Sequence, residues 1–294
     1  MRKKMHKTVY LPIYAMFMQF SCINVQGHDL LKTIRLTVGC LLLALACVPA
    51  RAQVAASKSS TPLARARQLI LVTTSDWTTV RGTLQRFERN GAHGAWRRVG
   101  AAIPVVVGRN GLGWGDGLNA PTQGVDAASD TPSKREGDGR APAGVFRLGK
   151  AFGFAPAREA SWLRVPYTTL TPAVECVDDT ASRRYNLIVD RDAVKAVDWN
   201  SSERMRSVEG YRWGLVVEHN TAPAPVPGHG SCIFLHIWAG PEKGTAGCTA
   251  MEQSNLEGLL RWLDQSKRPL LVQLPEGEYT RLRKTWQLPR LAGE

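Results

Sequence analysis

Short apolar segments separated by turn residues recur along this 294-residue chain and constrain its fold more than any other feature. Short runs of β-branched or alternating apolar side chains, bounded by Gly, Pro, Asn or Asp, are typical of β-strands. The segments with this pattern are 69–73, 82–87, 96–99, 103–107, 145–148, 186–189, 213–218, 233–237 and 270–274. We therefore expect a mainly β domain with a few helices.

One segment has the period of a helix instead. Its apolar residues recur at positions i, i+3, i+4 and i+7 and are Leu256, Leu259, Leu260 and Leu263. This pattern predicts a helix over 252–265, ended by Pro269. Because the predicted helix begins soon after Cys248, we expect its positive N-terminal end to lie near that thiol and to favour a thiolate.

The segment from His236 to Cys248 contains the residues best suited to catalysis. His236 closes an apolar run, and Cys248 follows twelve residues later behind the small-residue loop 244–247. A thiol becomes a strong nucleophile when a neighbouring imidazole takes its proton. Gly247 would let a substrate carbonyl approach backbone N–H groups, which would act as an oxyanion hole. These residues predict a cysteine acyl-transfer enzyme.

The same segment resembles the signature of YkuD-type L,D-transpeptidases, in which a histidine precedes a Ser/Thr-His-Gly-Cys turn. The resemblance implies that His236 is the general base, Cys248 the nucleophile and Thr245 the Ser/Thr of the turn. Two positions differ from the family pattern. Ala246 occupies the usual place of a second histidine, and Ala250 that of an arginine, which puts recognition of a substrate carboxylate in doubt.

A second motif supports the resemblance. The segment 134–147, Lys-Arg-Glu-Gly-Asp-Gly-Arg-Ala-Pro-Ala-Gly-Val-Phe-Arg, is similar to the Gly/Pro-rich approach to a "Pro-x-Gly-x-Phe" strand in that family. The resemblance covers roughly residues 68–274 and implies a YkuD-like β-sandwich catalytic domain. It also implies that neither a metal nor an organic cofactor is needed.

Further residues are candidates for contacts with substrate or catalyst. Trp238 lies close to the proposed base and is suited to wall the cleft, and Arg147 and Lys243 are candidates to meet a substrate carboxylate. His219 follows an apolar run, and a structural or rim role is the favoured interpretation. Trp238 as an ordinary core residue is equally compatible with the sequence.

Two other interpretations of the Cys/His segment are weighed against catalysis. The first is a buried thiol beside a structural histidine. The second is a zinc site formed by Cys232, His236 and Cys248, although this spacing fits no common zinc pattern.

The N-terminus has the features of a targeting segment. Lys32 and Arg35 precede an apolar stretch at 36–47, and 50–52 form an A-x-A cleavage site. We predict a signal peptide at about 31–52, cleavage near Ala52, and a periplasmic or otherwise exported protein; lipidation at Cys47 is the alternative. Residues 1–30 are interpreted as a start site assigned too far upstream.

The remaining chain divides into a flexible leader at 53–67, a catalytic domain at 68–275 and a C-terminal tail at 276–294. The formal net charge of the whole chain is +13, and the removal of seven Lys/Arg and one Asp with residues 1–52 leaves 13 − 6 = +7. A basic exported protein is suited to an anionic polymer such as peptidoglycan. No nucleic-acid motif is present, and no transmembrane helix is expected in the mature chain.

The mature chain contains three cysteines, Cys176, Cys232 and Cys248. An odd number in an oxidising compartment predicts one unpaired thiol. If Cys248 is the nucleophile, Cys176 and Cys232 form the natural pair, and a disulfide there would stabilise the fold by roughly 3–4 kcal/mol.

These observations predict an exported L,D-transpeptidase that forms a thioester on Cys248 and acts on peptidoglycan stem peptides. The alternatives are an L,D-carboxypeptidase or amidase that uses the same residues for hydrolysis, and a non-catalytic wall-binding module. The sequence identifies no residue as the group that orients His236.

Overall fold

The computed structural model of the protein describes residues 62–91, 94–118, 131–221 and 223–291. The predicted signal peptide and the leader up to residue 61 lie outside the described residues. The strands are β1 (Gln68–Thr74), β2 (Arg81–Glu88), β3 (Arg97–Val106), β4 (Leu112–Trp114), β5 (Ala141–Gly153), β6 (Tyr167–Thr169), β7 (Val174–Val177), β8 (Ile188–Asp190), β9 (Ser202–Arg204), β10 (Trp213–Val217), β11 (Phe234–Ile237), β12 (Thr249–Met251) and β13 (Leu270–Pro275). The α-helices of the described part are α1 (Gln253–Trp262) and α2 (Glu276–Trp286).

Ten strands form one large sheet, which confirms the predicted mainly β class. Their order is β10-β11-β12-β3-β2-β1-β13-β5-β4, with β6 beside β5. Strand β10 also pairs with β5, so the hydrogen-bonded ladder closes into a ring. Three further strands form a small sheet in the order β8-β7-β9.

The main core lies around the centre of the large sheet. Strand β1 is buried along its whole length, pairs in parallel with β13 and antiparallel with β2, and includes the fully buried Leu71. A continuous apolar run of this kind is typical of a strand covered on both faces. Helix α1 packs its predicted leucine stripe into this core.

The second core is smaller and lies between the large and the small sheet. Its aromatic members, Phe152, Tyr211 and Phe234, are in mutual edge-to-face contact, with ring centroids 4.9–5.4 Å apart. Cys176 and Cys248 are buried in the same cluster. This arrangement places Cys248 in the second core and outside the main one.

A disulfide joins the small sheet to the large one. Cys176 of β7 is bonded to Cys232, which lies just before β11, and their Cα atoms are 6.0 Å apart. This is the pair expected from the cysteine count. Cys248 is the free cysteine among the described residues.

Both ends of the domain differ from the sequence prediction. The leader was predicted to be flexible through Arg67, but Leu63 and Ala66 are buried in the main core, where their carbonyls accept hydrogen bonds from Arg89. The tail predicted from residue 276 onwards forms helix α2, which buries one face against the core. The buried residues of α2 are Tyr279, Leu282 and Trp286. Each of these two segments contains too few apolar residues at regular spacing for its structure to be predicted from the sequence.

Local boundaries also needed correction. The segments predicted as two strands at 96–99 and 103–107 form the single strand β3. The predicted helix 252–265 is shorter, because Leu263 is extended and ends α1. No helix in the described ranges is long and apolar enough to cross a membrane.

Candidate functional site

Cys248 and His236 line one cavity of about 540 Å³. Strands β11 and β12 run in parallel with His236 opposite Ala250, so the residue before β12 comes beside the start of β11. Side chains alternate along a strand, and His236 therefore shares a face with Phe234, whereas Leu235 is directed to the main core. This register places the thiol and the imidazole on the side of the second core.

The sulfur of Cys248 is held by backbone groups. Its Sγ accepts a hydrogen bond from the N–H of Phe234 at 3.2 Å, and the S–H donates to the carbonyl of Cys232 at 3.5 Å. Burial, followed by the nearby charge of Glu203, raises the pKa of the Cys248 thiol to about 12. The resting group is therefore a neutral thiol at pH 7.

His236 is fixed by a backbone carbonyl. Its Nδ1 lies 2.8 Å from the carbonyl oxygen of Ile237. A carbonyl can only accept, so Nδ1 carries the proton and Nε2 is left as the acceptor. Burial lowers the pKa of His236 to about 4, so the imidazole is neutral at pH 7. Ile237 is the orienting group that the sequence did not identify.

The thiolate–imidazolium pair suggested by the sequence is not the resting state of this site. Both groups are neutral, and within the described part of the chain no hydrogen bond joins the imidazole of His236 to the sulfur of Cys248. Any proton transfer between the two side chains must therefore accompany the binding or attack of a substrate.

The N–H of Gly247, which the sequence predicts as an oxyanion donor, already has a partner in this conformation. That N–H donates to Oγ1 of Thr245 at 3.1 Å, and the Thr245 hydroxyl donates to the Cys248 carbonyl at 2.6 Å. Thr245 thus closes the turn that carries the nucleophile. The sequence showed the right residues, but a hydroxyl two positions before the glycine takes its N–H.

The residues proposed for substrate contacts lie at two different places in the structure. Thr245, Trp238 and Lys243 line the cavity of Cys248. Arg147 does not: it is exposed on β5 and lines a different groove, of about 690 Å³, together with Lys150. Arg147 therefore lies away from the cavity of Cys248, because sequence proximity to the Gly/Pro motif did not fix the direction of its side chain.

The predicted influence of a helix end on the thiol is also wrong. Strand β12 separates Cys248 from the start of α1 at Gln253. Three extended residues span about 10 Å. The field of a helix end acts mainly within its first turn, so α1 does not stabilise a thiolate at this position.

Sequence reasoning singled out neither Glu203 nor Tyr211, and it named Lys134 only as part of a motif, yet all three line the cavity. Tyr211 contacts the ring of His236 with centroids 5.2 Å apart, and its hydroxyl donates to Oε1 of Glu203 at 2.8 Å. Lys134 is buried and pairs with Asp138 at 2.7 Å. No local motif links these residues, because they come from β9, a 3₁₀ turn and the approach to β5.

The remaining histidine candidate has a structural role. His219 is buried; its Nδ1 accepts the N–H of Asp116 at 3.1 Å, and its Nε2 lies 3.0 Å from the carbonyl of His229. The zinc interpretation loses a ligand because Cys232 is disulfide-bonded.

Comparisons of the chain with protein-family models, curated proteins and solved structures gave no match.

Proposed function

We propose that this protein is an exported L,D-transpeptidase of the YkuD type, with a sandwich-like catalytic fold, that acts on peptidoglycan stem peptides through a thioester on Cys248. The observation that carries the proposal is the shared cavity. It holds a free thiol beside a histidine whose Nδ1 is fixed by a backbone carbonyl, so that Nε2 is available as a base. The Cys176–Cys232 disulfide supports an oxidising compartment, in agreement with cleavage near Ala52.

In this mechanism Cys248 attacks the carbonyl of a bond between an L-centre and D-Ala. As the sulfur attacks, the thiol gives its proton to a base of the cavity, and this proton is returned to the nitrogen of the amine that leaves. Nε2 of His236 then accepts a proton from the incoming amine of a second stem peptide and passes it to the sulfur, which leaves as the Cys248 thiol when the new crosslink forms. Proton transfer coupled to attack is consistent with a resting pair that is neutral on both sides.

The tetrahedral oxyanion needs a donor other than Gly247. The N–H of Cys248, next in the same turn, is the donor that we assign. A substrate carboxylate would meet the ammonium of Lys243 at the cavity. Ala250 has no charged side chain to offer there, and it is buried in β12 beside His236. Neither a metal nor an organic cofactor takes part in these steps.

Hydrolysis is the second candidate function. The same thioester would react with water in an L,D-carboxypeptidase or in an amidase that cleaves wall peptide links. The absence of an arginine at position 250 favours this alternative, because a weaker site for one peptide strand gives water a larger share of the reaction. A wall-binding module without catalysis is the alternative of another class.

Purified peptidoglycan digested with the mature protein distinguishes these functions. We expect new crosslinked muropeptides from the wild type, and a loss of at least about a thousandfold in rate for Cys248→Ala, because no second nucleophile is proposed. His236→Ala should lose about a hundredfold or more. Shortened stem peptides without crosslinks would indicate hydrolysis. Binding to the wall that is unchanged in Cys248→Ala, with no turnover by the wild type, would indicate the binding module.

A further inference from the structure

The pair Tyr211 and Glu203 connects the second core to the nucleophile. The hydroxyl of Tyr211 donates to Oε1 of Glu203 at 2.8 Å, and Tyr211 belongs to the same buried cluster as Cys248. Tyr211 and Glu203 both line the cavity of Cys248. One hydroxyl thus shares a cavity with a thiol and a carboxylate, and rotation about its C–O bond lets it exchange one partner for the other.

The fold holds this pair in place by two independent elements. Glu203 lies on β9 opposite Cys176, so the disulfide to Cys232 ties this part of the small sheet to the start of β11, the strand that carries His236. Tyr211 lies in the 3₁₀ turn 209–212 and packs its ring on Phe234 and on His236. Support from both sides keeps the two side chains in one orientation, and a proton path needs this because its donors and acceptors must stay within hydrogen-bond distance.

We propose that Tyr211 and Glu203 form a proton relay that ionises Cys248. In this step the Cys248 S–H turns from the carbonyl of Cys232 and gives its proton to the oxygen of Tyr211, while the Tyr211 hydroxyl proton moves to Oε1 of Glu203. One S–H bond breaks, one carboxyl O–H bond forms, and Tyr211 ends neutral with its hydroxyl donating to the thiolate. Tyr211 is then a catalytic residue, and Glu203 is a positioning residue behind it that takes up the proton.

The electrostatics of the site agree with this direction of transfer. Burial raises the pKa of Glu203, which makes it a better base than an exposed carboxylate. The charge of Glu203 also raises the pKa of Cys248, and this repulsion disappears once Glu203 is protonated. The Tyr211 hydroxyl lowers the pKa of the thiol by bonding to its charged form.

Other titratable groups face the relay and set its background. Asp178, on the segment after β7, raises the pKa of Glu203, and Lys134 lowers that of Cys248. The titratable groups that line the cavity besides the relay are Lys134, Glu136, Asp178, His236 and Lys243. His236 has a pKa of about 4 and therefore stays neutral through the range in which Glu203 would titrate above its usual value.

The relay deepens the proposed function and rests on it, but its test needs no wall substrate. Alkylation of Cys248 by iodoacetamide is measured in the intact disulfide-bonded protein between pH 5 and pH 9, with Cys248→Ala as the labelling control. The relay predicts a rate that rises as Glu203 ionises, at a pH above the usual range of a glutamate, and then levels off. In Glu203→Gln this step should vanish and the rate at pH 6.5 should fall about tenfold or more.

A purely electrostatic role of Glu203 predicts the opposite sign. Loss of its charge would favour the thiolate, so Glu203→Gln would alkylate faster at pH 6.5, and this result would overturn the relay. Tyr211→Phe should resemble Glu203→Gln, and the double variant should lose no more than either single one, because both interrupt one path. Should Glu203→Gln fail to fold by circular dichroism, the pH profile of Tyr211→Phe decides the question: the relay predicts that the step in the profile vanishes, whereas loss of the hydroxyl's bond to the thiolate alone would lower the rate and keep the step.

Tyr185 supplies a matched control. Its hydroxyl also donates to a carboxylate at the cavity, that of Glu136, and it likewise lies in a buried position. Tyr185→Phe should keep the wild-type pH profile of alkylation; a loss equal to that of Tyr211→Phe would contradict the relay. If the wild type acts on the wall but Glu203→Gln keeps the wild-type pH profile of alkylation, only the relay is refuted. If the alkylation profiles agree with the relay but the wild type does not act on the wall, only the transpeptidase activity is refuted.

Discussion

The main core and the second core of this domain are held together in different ways. The main core is filled by apolar side chains, most of them aliphatic, from the centre of the large sheet and from α1 and α2. The second core contains three aromatic rings in mutual contact, a disulfide and the buried thiol Cys248, with Glu203 hydrogen-bonded to one of the rings. Apolar packing stabilises the first region, whereas covalent and polar contacts position reactive groups in the second.

This difference indicates a division of labour between the two regions. A densely packed apolar core tolerates little change in volume and offers no nucleophile or base. The second core keeps titratable groups out of water, which shifts the pKa of Cys248 and His236 in opposite directions. We expect stability and reactivity to respond separately when each region is altered.

Removal of the disulfide should have the largest effect on stability. The double variant Cys176→Ser, Cys232→Ser should lose about 4 kcal/mol of unfolding free energy, because the bond closes a long loop with a sequence separation of 56 residues. Because β9 carries Glu203 opposite residue 176, the alkylation rate of Cys248 should change as well. Urea unfolding measures the first effect and iodoacetamide labelling the second.

Added reductant gives the control for this experiment. It should lower the melting temperature of the wild type and leave the double variant unchanged. Three free thiols in protein recovered from the periplasm would contradict the disulfide and would remove the covalent link on which this contrast between the cores depends.

Substitution in the main core should affect stability alone. Leu71→Ala should cost about 3 kcal/mol, because Leu71 is fully buried between β2 and β13 and leaves a cavity that these strands cannot close. The alkylation rate of Cys248 well below the melting temperature should equal that of the wild type. A changed rate in the folded variant would show that the two cores are not separate in function.

The two cores also differ in how far the sequence predicted them. Strands β1 and β13 were recognised because their apolar runs are uninterrupted, and α1 because its leucines have a helical period. Cys248 and His236 were identified as a candidate site by residue type and spacing. The short strands of the small sheet were largely missed, because three or four residues carry too little periodicity to register.

The surroundings of the candidate site were beyond sequence reasoning for a physical reason. Tyr211 and Glu203 reach Cys248 only through the packing of β9 and a 3₁₀ turn against the large sheet. Burial, which decides the charge state of the thiol and the imidazole, is a property of the assembled fold. Sequence spacing therefore indicated a charged pair where the structure holds a neutral one.

The smallest predicted effect concerns the pH dependence of stability, for which each core has one histidine. His219 packs on Phe146 of the main core and His236 on Tyr211 of the second, and burial lowers the pKa of both to about 4. A histidine with a depressed folded pKa contributes stability that is present above its unfolded pKa, about 6.5, and is lost as the pH falls towards 4. For the fully buried His219 the loss between pH 7 and pH 5 is about 2 kcal/mol.

Substitution of His219 tests whether the main core shares in this acid sensitivity. His219→Gln retains a hydrogen-bond donor and an acceptor but does not titrate, so its unfolding free energy should fall less steeply between pH 7 and pH 5, by about 2 kcal/mol. Urea titrations at the two pH values measure the difference, with His236→Gln as the matched variant in the second core. If His219→Gln kept the full wild-type slope, acid sensitivity would belong to the second core, and the separation between the two regions would be sharper than the packing alone indicates.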